Sequence, residues 1–175
     1  YFVVEGDEYD TAYFDKVPKF VHYRPTTGMI TSIEYDHADI YESLDRIKQE
    51  FTKFMALIPD NGLLVACVDD PNVKEVINNS SVPLQTYGYS PEAEWTIRAI
   101  SQENSQKAFT VARHGKTYGT LHTSLIGRHN LLNLLGATAI LNQLGLTPAE
   151  IDAGFITFES VKRRQEVCGI VHDIV

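Results

Sequence analysis

Cysteine is scarce in this 175-residue chain: Cys67 and Cys168 are the only two, and they form no Cys-x-x-Cys pair. That excludes a disulfide scaffold and a cysteine-built zinc cluster, and it predicts two reduced, partly buried thiols in a cytoplasmic protein. Long apolar runs are missing as well. None approaches the roughly 20 residues of a membrane span, and no signal peptide is visible. Positive charge is in short supply, with 15 Lys and Arg against 23 Asp and Glu and a formal charge of −8. Such a balance argues against electrostatic binding of nucleic acid or an anionic membrane. It leaves room for a nucleotide held by one local cationic or metal site. No internal repeat or low-complexity segment occurs. There is no initiating Met either: the chain opens in the strand-like run Tyr1-Phe2-Val3-Val4 and closes in Gly169-Ile170-Val171-His172-Asp173-Ile174-Val175. These ends read as those of a piece cut from a longer polypeptide.

Apolar residues make up 43% of the chain and charged residues 22%, enough for one ordinary hydrophobic core and a default of one domain. Strand-like runs fall at Tyr1–Val4, Lys19–Tyr23, Met29–Ile33 and Leu63–Val68, the last after an Asn61-Gly62 turn. Between the third and fourth, Leu44, Ile47, Phe51, Phe54, Met55 and Ile58 recur at three- and four-residue steps. That spacing predicts a helix from about Ser43 to Ile58, stopped by Pro59. Strand, crossover helix and strand make the unit of a parallel sheet. Asp70-Pro71 reads as a cap and first helical residue, opening a helix toward Asn78. Pro83–Tyr89, Trp95–Ser101, Ala108–Arg113 and Thr117–Ile126 then read as strands with no helix between them, an antiparallel meander or hairpin layer added to the parallel sheet. A long helix from about His129 to Leu144 ends at Gly145. Thr147-Pro148-Ala149-Glu150 opens the last helix with a capping box.

Four clusters carry candidate chemistry. Glu5-Gly6-Asp7-Glu8 follows the first strand-like run, and Thr31 to Asp39, with Glu34, Asp36, His37 and Asp39, follows the third. Residues just past a strand's carboxyl end line the crevice where α/β proteins bind ligands. A carboxylate and a neutral imidazole there suit Mg²⁺ carrying phosphate, since Mg²⁺ takes few protein ligands and keeps waters and phosphate oxygens. Read singly, either cluster also fits a solvated loop or a surface turn. Third, Arg128-His129-Asn130, with Asn133 one turn on, stands at a helix start. Its unpaired N–H groups and the two-sided Asn amide match an adenine edge; simple capping is the alternative. Fourth, Lys162-Arg163-Arg164 offers a guanidinium clamp for a phosphate, or mere surface charge. His114-Gly115-Lys116-Thr117 ends like a phosphate-binding P-loop, but Thr110 stands where that motif needs its first Gly. It reads as a hairpin turn.

In this order, the four clusters resemble the central domain of the Mur ligase family, whose pattern is a Glu after a strand, Asn-x-Glu-x-Asp-His, Gly-x-His-Asn-x-x-Asn and Lys-Arg-Arg. Here these are Glu5, Ser32 to His37 (Ser in place of the usual Asn), Gly127 to Asn133, and Lys162 to Arg164. The resemblance implies an α/β fold, a mostly parallel sheet flanked by helices. It implies a central ATP-binding domain over residues 1–160, without its upstream phosphate loop, and a junction to the C-terminal ligase domain over 161–175. It also implies an ATP-dependent amide-forming reaction through an acyl phosphate, with Glu5 and His37 as Mg²⁺ ligands, His129, Asn130 and Asn133 on the adenine side, and Arg164 meeting ATP. Glu5, His37 and Arg164 would form the catalytic set. Within the family, Glu5 to Lys16 and Phe20-Val21-His22-Tyr23-Arg24-Pro25 are most similar to the branch that joins UDP-N-acetylmuramate to L-alanyl-γ-D-glutamyl-meso-diaminopimelate in cell-wall recycling. The L-alanine-adding branch and a non-catalytic nucleotide-binding domain are the alternatives.

Overall fold

The computed structural model describes residues 1–159 except positions 7, 13, 14, 37, 38, 79, 104 and 105. Asp10–Ala12 (β1) and Asp15–Pro18 (β2) pair antiparallel as a ribbon of their own. After a 3₁₀ turn over Lys19–His22, the chain runs through β3 (Thr27–Ile30), α1 (Leu44–Ala56), β4 (Leu63–Cys67) and α2 (Pro71–Ile77). It continues through β5 (Leu84–Gly88), β6 (Trp95–Glu103), β7 (Gln106–Arg113), β8 (Lys116–Thr123), α3 (Arg128–Gln143) and α4 (Pro148–Ile156). The strands β3 to β8 form one sheet in chain order. Pairs β3–β4, β4–β5 and β5–β6 are parallel, and β6–β7 and β7–β8 antiparallel.

Every residue of β4 is buried, as expected of a strand covered on both faces. Its side chains alternate. Leu63, Val65 and Cys67 join Tyr87, Trp95, Phe109 and Leu121 beneath α3 and α4. Leu64 and Ala66 join Ile30, Ile47, Phe54, Met55, Val73 and Ile77 beneath α1 and α2. The sheet is thus the middle of three layers. The apolar stripe of α1 was legible because its spacing follows the helical repeat, and the helix begins on Ser43, whose Oγ accepts from the Arg46 N–H at 3.3 Å. Asp70 accepts from Val73 N–H at 2.8 Å to open α2. At α4, Thr147 and Glu150 form the reciprocal capping box that their spacing announces.

Three expectations need correction. Tyr1–Val4 lies exposed outside any strand. Its β-prone residues gain nothing without a ladder partner, and no described strand pairs with it. Lys19–Tyr23 is a 3₁₀ turn and not a strand, because Phe20 turns inward to bury edge-on against Phe54, ring centroids 5.1 Å apart. The antiparallel hairpins expected beside the parallel sheet are β6 to β8, and β5 is not one of them. It pairs parallel with β4 along Leu64↔Leu84 to Cys67↔Tyr87. Only the last residues of β5 overlap β6, at Tyr87↔Trp95 and Gly88↔Thr96, so the short Tyr89–Glu94 step suffices. A full parallel return needs a crossover of about a dozen residues or more. The hairpin reading of His114-Gly115 holds: it turns β7 into β8, with His114 and Gly115 both at positive φ. Among the described residues, no helix is long and apolar enough to cross a membrane.

Close approach of α3 to the sheet depends on Gly136. A Cβ there would fall 2.7 Å from Met29 Cε and 2.9 Å from Tyr87 Cζ, inside contact distance of a flexible tip and a fully buried ring. Gly136→Val is therefore expected to destabilise the intact protein by about 1–3 kcal/mol. A shift of the urea midpoint to lower concentration, at unchanged slope, is the measurement.

Candidate functional site

The carboxyl ends of β3, β4 and β5 and the start of α3 share one rim of the sheet, the place where open α/β sheets hold ligands. The start of α3 is shaped by Gly127, which sits at φ 95°. A Cβ at that position would lie 2.7 Å from His129 Cε1, so glycine serves both the dihedral and the space the imidazole occupies. Among the described residues no side chain caps the helix, which leaves its first amide donors for water or an anion. His129 and Asn133 are exposed and Asn130 is half-buried. Asn130 Nδ2 donates to the Ile126 carbonyl at 2.7 Å, which holds its amide in one orientation. The capping alternative therefore does not apply: neither His129 nor Asn130 caps this helix.

Two residues at this rim, Asp69 and Tyr89, were not singled out from the sequence. Asp69, just past β4, accepts from the Tyr89 N–H at 2.7 Å through Oδ2 and from the Ser90 N–H at 2.9 Å through Oδ1. Tyr89 in turn lies under Arg128, whose guanidinium carbon is 4.2 Å from the ring centroid. The Tyr89 hydroxyl donates to the Arg128 carbonyl at 3.5 Å. Burial pushes the Tyr89 phenol up from its ordinary value while the Arg128 charge opposes the shift. The available signal was slight: Asp69 immediately precedes the Asp70 cap, and Tyr89 ends an apolar run. Deeper in, burial also pushes the Cys67 thiol up. The Tyr87 phenol rises for the same reason, and its buried hydroxyl has no hydrogen-bond partner among the described residues.

The two acidic segments meet. Tyr41 hydroxyl donates to the Glu8 carbonyl at 2.5 Å, and Tyr9 hydroxyl to Asp39 Oδ2 at 3.0 Å. The second segment is itself moored, with Ile33 buried and its carbonyl accepting from Asn72 Nδ2 at 2.8 Å. Tyr35 hydroxyl donates to the Tyr41 carbonyl at 3.1 Å. Glu5 is exposed on the extended segment before this junction. His37, Asp7, Lys162, Arg163 and Arg164 lie outside the described residues, and so does the 161–175 junction. Among the described residues, no group of three or more His, Cys, Asp or Glu stands close enough to hold a metal ion.

Comparison with known proteins gives a consistent picture. The model of the Mur ligase middle domain matches residues 1–141. The UDP-N-acetylmuramate–L-alanyl-γ-D-glutamyl-meso-2,6-diaminoheptandioate ligase of Haemophilus influenzae is 34% identical over 174 residues, covering 99% of this chain and 38% of that protein. The UDP-N-acetylmuramate–L-alanine ligase of Pelotomaculum thermopropionicum is 37% identical over 175 residues, covering 99% of this chain and 36% of that protein. The chain thus spans little more than a third of the curated relatives it matches. Among solved structures, the UDP-N-acetylmuramate:L-alanyl-γ-D-glutamyl-meso-diaminopimelate ligase from Neisseria meningitides superposes with a TM-score of 0.81 at 34% identity. That match covers 93% of this chain and 49% of the other.

Two outcomes follow from the geometry. Tyr41→Phe removes the hydroxyl that joins the acidic segments and is expected to cost about 0.5–1.5 kcal/mol, read as a lowered urea midpoint. In a Cys168→Ser background, burial and a raised pKa leave little Cys67 thiolate at pH 8. Alkylation by iodoacetamide should run at least about tenfold slower than in the urea-unfolded chain, followed by mass spectrometry.

Proposed function

Because the chain belongs to the Mur ligase family, we propose that the whole protein joins an amine donor to the carboxylate of UDP-N-acetylmuramate at the expense of ATP. One observation carries this reading: the middle-domain match runs through Glu5, the Ser32-to-His37 stretch and Gly127-Arg128-His129-Asn130. Supply of ATP and of a nucleotide-activated sugar places the reaction in the cytoplasm.

A carboxylate is a poor electrophile, so direct amide formation in water is slow and uphill. In the proposed reaction a carboxylate oxygen attacks the γ-phosphorus of ATP and ADP leaves, giving an acyl phosphate. The free amine then attacks the acyl carbon, loses a proton, and inorganic phosphate departs. Phosphoryl transfer asks the protein chiefly for positioning and charge stabilisation. His129, Asn130 and Asn133 are assigned to the base of ATP, with the Asn amide supplying both a donor and an acceptor. Arg164 is assigned to its phosphates, where a guanidinium fork suits the geometry. Glu5 and His37 would hold Mg²⁺, which spreads the charge that develops on the transferred group. Support for that pairing is the meeting of their two segments through Tyr41–Glu8 and Tyr9–Asp39.

For the amine donor we favour the tripeptide L-alanyl-γ-D-glutamyl-meso-diaminopimelate. The Glu5-to-Lys16 segment and the likeness to the Neisseria meningitides ligase support it. L-Alanine is the second reading, favoured by the 37% identity to the Pelotomaculum thermopropionicum enzyme.

The test is phosphate release by the full-length protein given ATP, Mg²⁺ and UDP-N-acetylmuramate with each donor in turn. Turnover with tripeptide and little with L-alanine is the expected result; the reverse selects the L-alanine ligase, and turnover with neither removes the assignment. Glu5→Ala and His37→Ala should each lower kcat by about two orders of magnitude or more without shifting the unfolding midpoint. Near-wild-type rates at limiting Mg²⁺ would take both residues out of the metal site.

A further inference from the structure

We propose that Tyr89 and Arg128 are a positioning pair, anchored by Asp69, that presets the first turn of α3 and thereby the protein's affinity for the nucleotide base. The proposal rests on the reading that His129 and Asn130 meet that base. The starting point is a helix that lacks the usual device for fixing its own entry. Gly127 occupies the cap position at φ 95° and, among the described residues, no side chain caps the helix. Glycine is the least restrained backbone, so an α3 start built only from Gly127 would sample several entry angles.

A chain of contacts supplies the missing restraint, and it begins at the most rigid part of the sheet. β4 is buried on both faces, so the carboxylate of Asp69, two residues beyond its end, issues from a fixed base. Both carboxylate oxygens are spent on consecutive amides of the loop after β5, those of Tyr89 and Ser90. Gly88 makes that approach possible, for a Cβ there would sit 2.4 Å from Asp69 Oδ1. With its backbone held, the Tyr89 ring stands beneath Arg128 at 4.2 Å and its hydroxyl reaches the Arg128 carbonyl. A guanidinium over an aromatic face is attracted by the ring quadrupole, and the planar group stacks as an ammonium cannot. Arg128 is the first residue of α3, and His129 and Asn130 follow it directly. Restraining Arg128 therefore restrains the two side chains assigned to the base. Such preorganisation raises affinity by removing an ordering cost from the binding step.

The experiment uses the full-length protein with ATP, Mg²⁺, UDP-N-acetylmuramate and its amine donor. Tyr89→Leu and Arg128→Leu are each expected to raise KM for ATP about three- to tenfold, leaving kcat and KM for UDP-N-acetylmuramate within twofold. The double variant should be no worse than the worse single one, since either change breaks the same pair. Tyr89→Phe, which keeps the ring, should stay near wild type. Arg128→Lys, which keeps the charge but not the plane, should resemble Arg128→Leu. Three results would overturn the pairing: effects that multiply in the double variant, an effect of Arg128→Leu alone, or unchanged KM for ATP in both. His129→Ala and Asn130→Ala separate the two levels. If these leave KM for ATP unchanged, the nucleotide reading of α3 falls and this proposal with it. If they raise it while Tyr89→Leu does not, only the positioning pair falls. Urea midpoints of all variants identify any that lose the fold, and Tyr89→Phe against Tyr89→Trp then repeats the comparison with the ring retained.

Discussion

The burial of β4 on both faces is the constraint from which the rest of this structure takes its geometry. Five consecutive side chains, Leu63 to Cys67, are divided between two hydrophobic clusters. A shift of register by one residue would send every side chain to the wrong cluster. β4 therefore pins β3 on one side and β5 on the other, and it brings α1 and α2 to one face and α3 and α4 to the opposite face. The rim at its carboxyl end inherits that rigidity. Asp69 and Asp70 stand there as two adjacent carboxylates with different work, one tying the loop after β5 and the other opening α2.

α3 is fastened at both ends, by different chemistry. Near its carboxyl end Gln143 Oε1 accepts from Gln85 Nε2 at 3.2 Å, and Gln85 Oε1 accepts from the buried Trp95 indole N–H at 2.8 Å. Asn142 Oδ1 accepts from Arg113 at 3.0 Å, and Arg113 also lies over the Trp95 ring and pairs with Glu94. Those contacts satisfy polar groups in a place where an unpaired one would be costly. At the amino end the contacts are more exposed: the Arg128 stack on Tyr89, the Tyr89 hydroxyl on the Arg128 carbonyl and the Asn130 bond to Ile126. The two acidic segments are moored in a comparable way, by tyrosine hydroxyls reaching across to backbone and carboxylate.

Helices were the part of the fold most open to reading, because each rests on local chemistry. Spacing announced α1, the Asp-Pro pair α2, the Thr-Pro-Ala-Glu box α4, and Gly145, at φ 91°, the end of α3. Strands were read less well, since a strand is made by its neighbour and not by its own residues. Tyr1–Val4 has strand composition without a described ladder, and Lys19–Tyr23 turned aside once Phe20 found α1. β5 looks like the first strand of a meander, and only its register on β4 reveals that it is parallel. At the candidate site, Glu5, His129, Asn130 and Asn133 were visible as residue types in motif order. Asp69 and Tyr89 were not, because their partners are 20 and 39 positions away.

Composition and motif order by themselves determined the α/β class, the helices with their caps, and membership of the Mur ligase family. These depend on what each residue is and on neighbours within a few positions. Tertiary structure alone decided the parallel placement of β5, the meeting of the Glu8 and Asp39 segments, and the linkage of Asp69, Tyr89 and Arg128 into one support for α3. Those depend on which distant groups the two-faced burial of β4 brings within hydrogen-bonding reach, and separation along the chain carries no record of that.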